Sequence, residues 1–473
     1  MEKWKSLDRC NVLDETEKDD NCRIYKDELI DNLSDSIDLS KFCDKLVQRY
    51  NVDLSHLPWE TQYSYLRGKS LYVLPESQLK QQLVDSKVKW KPLVVKFWID
   101  PTWSDIHLWH TVPIIMLNRL QRMWHNISFV IWDFTAGIWD PTWRSKERPT
   151  MTDNQINENL ATYKSQISPF LDVSKLKVFH NSEWHNKTTL KDLIKTLSMV
   201  NLSSVLQRDD FRSRLENNQG LSLSELIYPI MMWMDSVTLK KDEWCDIELW
   251  WKDQFLNMQM CRMLMEKFWE DPETIISTDI LEWISWDWKK MSKSLNNYIA
   301  LNDSPKDIYG KIMSIPDRLL EIYYKSLTEI TNEEWNFLSD NINSWKINPI
   351  YLKKSLARII ITVIYDKDSA NKAEDEFNGI FGKDKKYWDL DLPTKSVLGH
   401  SKLIETIAQQ FNMSNSEIRR LADAWAISLI FKDNSVKKMD GSWIMEELSL
   451  INESEFIIKV WKKKLFRAQI DNH

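Results

Sequence analysis

The sequence predicts an α/β protein with a doubly wound parallel sheet, followed by a helical region and a small α+β region. Two apolar runs rich in β-branched and aromatic residues, PLVVKFWID (92–100) and NISFVIWDFTA (126–136), are typical of buried parallel strands. Between them, TVPIIMLNRLQRMW (111–124) has apolar residues at helical spacing. Strand, helix and strand in this order form a βαβ unit, which indicates the doubly wound class.

The other segments follow from local patterns along the chain. Residues 1–62 are polar and acidic, and no role follows from them. Helical spacing recurs after the βαβ unit and again from about 318 to 390, before a turn-rich linker at 384–395. The last 75 or so residues combine a helix carrying paired arginines with short strand-like runs. We therefore predict an acidic extension, an α/β domain, a helical domain with its linker, and an α+β domain, at 1–62, 63–317, 318–395 and 396–473.

Composition limits the class of protein. A chain of 473 residues is too long for one hydrophobic core, and 28% charged with 43% hydrophobic residues is typical of soluble proteins. The net charge of −7 means that binding to nucleic acid would require a local basic patch. With no long apolar run and no signal-like start, we predict a cytoplasmic protein without membrane association. Five cysteines without a CxxC pair predict reduced thiols and no zinc site.

Two short stretches carry groups suited to phosphate chemistry. IHLWHTV (106–112) places His107 and His110 three residues apart at the predicted start of a helix. KKMSKSLNN (289–297) would give a loop two ammonium groups beside phosphates. Taken singly, the first is also typical of a helix surface and the second of a solvated loop. Together, PTWSDIHLWH and KMSKS about 180 residues later resemble the paired signatures of class I aminoacyl-tRNA synthetases.

Further stretches narrow the resemblance to one family. IWDFTAGIWDPTWRSKERP (131–149), LIYPIMMWMDSVTLK (226–240) and DIELWWKDQ (246–254) resemble the tyrosyl-tRNA synthetases, in that family's order. The likeness runs from about residue 66 to the end, and the C-terminal stretch is similar to the S4-type RNA-binding domain of many bacterial members. The resemblance implies a Rossmann-like catalytic domain with signatures at 107–110 and 290–294, a helical domain that meets the anticodon stem, and an S4-like domain.

Tryptophan and glycine are present in unusual numbers. The chain has 8 Gly and 25 Trp, whereas the usual glycine frequency of about 7% would give roughly 33 Gly. Thirteen tryptophans fall where the family has glycine: Trp98, Trp109, Trp124, Trp132, Trp139, Trp143, Trp250, Trp251, Trp269, Trp288, Trp345, Trp425 and Trp461. Trp184, in NSEW, stands where the family has a genuine tryptophan. We hypothesise that the source reads UGA as glycine and that these tryptophans stand at glycine codons.

The resemblance implies a two-step reaction. Tyrosine attacks the α-phosphate of ATP to give tyrosyl-adenylate and pyrophosphate, and the tyrosyl group then passes to tRNA(Tyr). Mg²⁺ would accompany ATP, with no tightly bound cofactor and no dedicated metal site in the protein. The implied catalytic residues are Thr102, His107, His110, Lys290 and Lys293. The implied ATP contacts are Trp109, Asp253, Ser292 and Ser294. The implied tyrosine contacts are Lys96, Asp100, Asp140, Tyr228, Met232, Asp235 and Gln254.

The resemblance also implies partners, and it leaves alternatives open. We expect a homodimer that grips tRNA through basic residues of the C-terminal domain: Arg419, Arg420, Lys462, Lys463, Lys464 and Arg467. The sequence departs from the family at three positions: Met232 replaces a glutamine, Lys96 replaces the tyrosine of one branch, and Asn296 replaces a glycine. The alternatives are a tryptophanyl-tRNA synthetase and a catalytically inactive RNA-binding relative. The second alternative requires the tryptophans to be genuine.

Overall fold

The computed structural model describes twelve stretches of the chain: residues 39–99, 106–136, 153–206, 209–217, 223–268, 270–281, 298–381, 387–389, 392–433, 435–451, 453–461 and 464–471. The chain divides into two compact units, Met1–Ala370 and Asn371–His473. The predicted boundaries at 62 and 317 do not separate compact units, since the residues on both sides of each lie in the first one. Among the described residues, no helix combines the length and apolarity needed to cross a bilayer.

The first unit contains a six-stranded sheet. Its strands are β1 (Tyr72–Leu74), β2 (Val94–Ile99), β3 (Asn126–Ile131), β4 (Lys177–His180), β5 (Ile247–Trp251) and β6 (Thr274–Thr278). Their order in the sheet is β1-β6-β5-β2-β3-β4, and only the edge strand β1 runs antiparallel to its neighbour. The chain leaves β2 toward β3 on one side, while β5 pairs with β2 on the other. The carboxyl ends of β2 and β5 therefore border a topological switch point, where doubly wound sheets bind ligands.

Helices of the first unit surround this sheet or form the region that follows it. They are α1 (Leu39–Gln48), α2 (Trp59–Lys69), α3 (Glu76–Lys89), α4 (Leu108–Arg122), α5 (Asp133–Ala136), α6 (Asp153–Ile167), α7 (Ser182–His185), α8 (Leu190–Ser198), α9 (Leu202–Leu206), α10 (Asp209–Glu216), α11 (Leu223–Glu243), α12 (Phe255–Lys267), α13 (Pro305–Met313), α14 (Leu320–Leu327), α15 (Asn332–Asn343), α16 (Pro349–Ile364) and α17 (Lys367–Phe381). Helix α17 crosses the boundary between the units. The predicted β2-α4-β3 unit is confirmed.

The described part of the predicted acidic extension, residues 39–62, belongs to the first unit. Helix α1 packs against α16, and its Cys43 thiol donates to the backbone oxygen of Ser355, on α16. Phe42 and Leu46 on the same helix are buried. Residues 39–62 therefore contribute to the packed core of this unit, and 1–38 lie outside the described residues.

Helix α4 is buried along most of its length and is anchored at its C-terminal end. Arg119 Nε lies 2.9 Å from Glu329 Oε1, and Arg122 Nη2 lies 3.2 Å from Glu329 Oε2. Tyr65, on α2, donates to the same carboxylate. Burial opposes the charge of Glu329, but the two arginines outweigh it and hold the pKa of this carboxyl at about 2. This charge cluster joins α4 to α2 and to the segment between α14 and α15.

Beyond α17, the described part of the second unit contains a five-stranded sheet and two α-helices. Its elements are β7 (Thr394–Leu398), α18 (Leu403–Phe411), α19 (Asn415–Asp423), β8 (Ile427–Ile430), β9 (Val436–Met439), β10 (Glu455–Val460) and β11 (Lys464–Asp471). The strand order is β7-β11-β10-β8-β9, with only β7 and β11 parallel. Side chains from both helices and the sheet share one core, which includes Ile407, Ile418 and Phe456. The predicted small α+β fold is confirmed.

Tryptophans occupy left-handed backbone positions. In the described part of the chain, seven non-glycine residues have a positive φ, and six of them are tryptophans: Trp90, Trp124, Trp244, Trp345, Trp425 and Trp461. Five of the six lie one or two residues beyond the end of a helix, where glycine is usual because it carries no Cβ. All six indoles are exposed, from 46% at Trp124 to 93% at Trp345. Neither packing nor conformational preference explains tryptophan at these positions.

Candidate active site

The two histidines of the first signature meet at the start of α4. His107 precedes the helix, and its backbone N–H donates to His110 Nδ1 at 3.2 Å, while the His110 N–H donates to the His107 oxygen at 2.8 Å. The two imidazole ring centres are 3.9 Å apart. A helix N-terminus carries partial positive charge and unpaired N–H groups, which suit an anion. His107 and His110 thus lie together at a helix N-terminus, a position that favours the binding of a phosphate.

The chain that follows the second signature pairs with the first. Leu108 N–H donates to the Ile299 oxygen at 2.9 Å, and Leu301 N–H donates to the Ile106 oxygen at 2.8 Å. The Tyr298 ring centre lies 5.8 Å from that of His107. The predicted catalytic and ATP-binding residues of the second signature lie outside the described residues: Lys290, Ser292, Lys293 and Ser294. Thr102, predicted as catalytic, and Asp100 and Asp140, predicted for tyrosine, also lie outside them.

Indole rings fill the switch point. The ring centre of Trp98 lies 5.0 Å from that of Trp132 and 6.1 Å from that of Trp250. The ring centres of Trp132 and Trp250 are 5.7 Å apart. Trp109 stacks beside both histidines at 5.8 and 5.6 Å and lies 5.5 Å from Trp251. All five are among the thirteen positions where the family has glycine. The space between the carboxyl ends of β2, β3 and β5 and the start of α4 is therefore occupied by side chains that glycine would lack.

Asp235 is one of the predicted tyrosine contacts that the structure describes. It lies on α11 and is fully buried. Its Oδ1 accepts hydrogen bonds from Trp184 Nε1 at 2.5 Å and from His185 Nε2 at 2.7 Å. Its Oδ2 is buried without a hydrogen-bond partner among the described residues. Burial raises the pKa of Asp235, while His185, Trp184 and Lys96 oppose that rise.

Two other predicted tyrosine contacts share α11 with Asp235. Tyr228 is buried, and its ring centre lies 5.0 Å from Trp132 in an edge-on arrangement. Met232 is also buried, at 1% exposure. The helical spacing of these residues, four and three apart, places them on one side of the helix. The structure therefore groups Tyr228, Met232 and Asp235, although a thioether cannot replace the hydrogen bonds of the family's glutamine.

Lys96, predicted to contact the tyrosine substrate, is instead paired with side chains of the protein itself. Its ammonium group lies 2.5 Å from Glu273 Oε2 and 3.6 Å from Glu248 Oε1, and it donates to Ser236 Oγ. Burial opposes its charge, but the two glutamates outweigh this effect and raise its pKa. Because carboxylates already balance the charge, the contacts favour a structural role for Lys96 over direct contact with an amino-acid substrate.

Asp253 and Gln254 lie in the turn that follows β5. The turn is a short 3₁₀ segment, Lys252–Gln254, directly before α12. Gln254 is buried, and its Oε1 accepts from Asn257 Nδ2 at 2.7 Å, whereas Asp253 is exposed. Both residues thus lie at the carboxyl end of β5, beside the switch point.

The predicted RNA-binding residues of the second unit fall into two groups. Arg419 and Arg420 on α19 and Lys464 at the start of β11 are exposed. Arg467 is instead half-buried: its guanidinium stacks 5.1 Å from the Trp388 ring and donates to the Trp388 oxygen at 3.0 Å. The Arg467 side chain therefore packs within this unit, and its contact with RNA stays a prediction. Lys462 and Lys463 lie outside the described residues.

Comparison with known proteins places the chain in a family. Residues 89–382 match the family model for class I tRNA synthetases of the tryptophan and tyrosine type. A tyrosine–tRNA ligase of Carboxydothermus hydrogenoformans is 39% identical over 84% of this chain and 94% of its own length, and one of Moorella thermoacetica is 35% identical over 78% and 88%. The fold resembles that of a truncated mitochondrial tyrosyl-tRNA synthetase of Aspergillus nidulans, with a TM-score of 0.55 at 18% identity over 72% of this chain and 99% of that one.

These matches agree with the order of elements, the switch point and the two signatures. The chain belongs to the tyrosyl-tRNA synthetase family, within the class I tRNA synthetases. The tryptophanyl alternative loses its support, because four relatives that are 33–39% identical over 78–85% of this chain are tyrosine–tRNA ligases.

Proposed function

We propose that this protein is a tyrosine–tRNA ligase that activates tyrosine with ATP and transfers it to tRNA(Tyr). Membership in the family supports the reaction. The observation that supports the choice of amino acid is the buried Asp235, whose Oδ1 accepts from two donors and whose Oδ2 has no hydrogen-bond partner among the described residues. A buried acceptor left unpaired by phenylalanine costs free energy, which gives selection for tyrosine.

In the first step the tyrosine carboxylate oxygen bonds to the α-phosphorus of ATP, and the bond from that phosphorus to the bridging oxygen of pyrophosphate breaks. The N-terminus of α4, with His107 and His110, would hold the phosphates as charge develops. Lys290 and Lys293 would neutralise the departing pyrophosphate, and Mg²⁺, if bound with ATP, would supply further positive charge. Catalysis of this type rests on positioning and charge stabilisation.

The second step requires tRNA. We assign tRNA contacts to the exposed basic residues of the second unit, Arg419, Arg420 and Lys464, in an S4-like domain within residues 396–473. The helices of 318–395 would meet the anticodon stem. Positive side chains that contact phosphates position an RNA without reading its sequence. We also propose that the protein forms a homodimer, as the family resemblance implies, and that it acts in the cytoplasm.

The active form of this chain would carry glycine at the thirteen positions. Four of them have positive φ, and five fill the switch point with indoles. The same backbone criterion adds Trp90 and Trp244, with φ of 50° and 57°, which the motif comparison does not include. We call the full chain with glycine at all fifteen positions the glycine form. Removing the five indoles would open space at the switch point for adenylate and tyrosine.

The test is amino-acid-dependent exchange of pyrophosphate into ATP, measured on the glycine form and on the chain with tryptophan. We expect exchange with tyrosine, little with phenylalanine or tryptophan, and none from the chain that retains the indoles. In the glycine form, Asp235→Asn would serve as the matched control, lowering kcat/KM for tyrosine much more than for ATP. Exchange that is driven best by another amino acid would refute the proposal.

The inactive RNA-binding relative is the second candidate, because the indole cluster at the switch point leaves no room for a nucleotide. It requires tryptophan codons, so the gene separates the two candidates directly. UGG at codon 109 would favour the inactive relative, and UGA would favour the glycine form.

A further inference from the structure

His185 is a buried histidine to which the motif comparison assigns no role. It ends the short helix α7 and is 6% exposed. Its ring centre lies 5.1 Å from that of Phe134, which limits the orientations of the imidazole. Its Nε2 lies 2.7 Å from Asp235 Oδ1, on α11, fifty residues further along the chain.

The contacts of Asp235 divide its two oxygens. Trp184 Nε1 and His185 Nε2 both converge on Oδ1, whereas Oδ2 is buried and has no hydrogen-bond partner among the described residues. An aspartate held at one oxygen by two donors cannot rotate freely about its terminal torsion without breaking both bonds. The open oxygen is thereby kept in one orientation.

We propose that His185 is a positioning residue for tyrosine selection, which donates to Oδ1 of Asp235 and so directs Oδ2 at the phenol hydroxyl of the substrate. This inference rests on the proposed function. An imidazole with hydrogen on Nε2 can donate to a carboxylate whether the ring is neutral or charged. His185 acts on the substrate only through Asp235.

The charged surroundings of Asp235 predict a signature that simple packing would not give. The groups that face it are His185 and Trp184 from α7, Lys96 from β2, and Cys261 from α12. Burial raises the pKa of Asp235, and the bond from His185 is the first of the effects that oppose the rise. Without that bond the pKa of Asp235 should rise further. As the pH falls, the carboxylate would then become protonated, and phenol binding would be lost, at a higher pH than in the parent.

The experiment compares His185→Leu and His185→Gln in the glycine form. Leucine keeps an apolar side chain of similar bulk against Phe134 but cannot donate, whereas the amide nitrogen of glutamine can donate and does not titrate. A hydrogen bond to a charged group has an effect of about 10- to 100-fold on an equilibrium. We expect His185→Leu to lower kcat/KM for tyrosine by about that factor and the tyrosine-to-phenylalanine ratio with it. KM for ATP should stay within about twofold, and glutamine should recover most of the loss.

The pH profile of kcat/KM for tyrosine supplies the second readout. Its acidic limb should move to higher pH in His185→Leu and return toward the parent in His185→Gln. Calorimetric binding of tyrosine, without ATP, should show the same order of variants. If the parent is active and both variants keep its selectivity and acidic limb, the inference is overturned while the proposed function stands. A parent that shows neither exchange nor tyrosine binding would remove both.

Discussion

Trp345 offers a direct test of the glycine interpretation, because its side chain contributes almost nothing to packing. It follows helix α15, has a φ of 60°, and is 93% exposed. Its N–H donates to the Ile342 oxygen at 3.0 Å, and the next N–H, of Lys346, donates to the Asn341 oxygen at 2.9 Å. These backbone bonds close the helix in the manner of a Schellman motif, and any residue type can make them.

The magnitude follows from the backbone conformation alone. A Cβ in the left-handed region costs about 1–2 kcal/mol. Glycine avoids this cost but loses about 0.5–1 kcal/mol through the greater freedom of its unfolded chain. Since the exposed indole gives up little burial, Trp345→Gly should raise the free energy of unfolding by about 0.5–1 kcal/mol. Trp345→Ala retains the Cβ and should gain little, and Trp345→Asn should fall between the two because asparagine tolerates this region.

The assay is urea unfolding followed by far-ultraviolet circular dichroism, comparing midpoints among variants with equal slopes. Trp335, within the same helix, is the matched control: it is 4% exposed and its ring centre lies 5.5 Å from that of Tyr324. Trp335→Gly should destabilise the protein by about 3–5 kcal/mol or more, the opposite sign. If glycine at 345 proves no more stabilising than alanine, the conformational argument is wrong.

Three further predictions concern charged groups. Lys96→Met should destabilise the protein by about 3–5 kcal/mol, because it leaves buried carboxylates unpaired. Adding Glu273→Gln to that variant should restore part of the lost stability, as measured by urea midpoints in a double-mutant cycle. Glu329→Gln should cost a similar amount at neutral pH. The folded pKa of about 2 lies below the ordinary 4.5, so the wild-type advantage should be full above about pH 4.5 and disappear as the pH falls toward 2 in acid titrations of stability. Replacing Arg419 or Arg420 by glutamine should weaken tRNA binding and reduce its salt slope by about 1, measured by filter binding across a salt series.

Local patterns predicted the elements that position the site. The two apolar runs predicted β2 and β3, the spacing between them predicted α4, and His107 and His110 were expected at the start of that helix. These features depend on periodicities of two and 3.6 residues, which a single sequence displays directly. The pairing of Ile106–Leu108 with Ile299–Leu301 agrees with the joint use of both signatures.

Contacts between distant segments could not be predicted in the same way. Glu248 and Glu273 lie more than 150 residues from Lys96 along the chain, and nothing in their local sequence shows that they converge on it. His185 follows a recognised tryptophan, but a lone histidine has no periodic signal, and only the structure brings it to Asp235. For the same reason the motif comparison did not include Trp90 and Trp244, whose left-handed backbone is a property of the folded chain.

The anchoring of α4 by Glu329 has a consequence for the direction in which the histidines point. Arg119 and Arg122 are three residues apart and grip opposite oxygens of one carboxylate. A helix advances 1.5 Å and turns about 100° with each residue. Displacing this helix by one position would therefore rotate both imidazoles by more than a quarter turn, at about 14 to 18 Å along the helix from Arg119. The Glu329 carboxylate therefore fixes the rotation of α4 about its own axis, and so fixes the direction in which the histidines at the other end of the helix point.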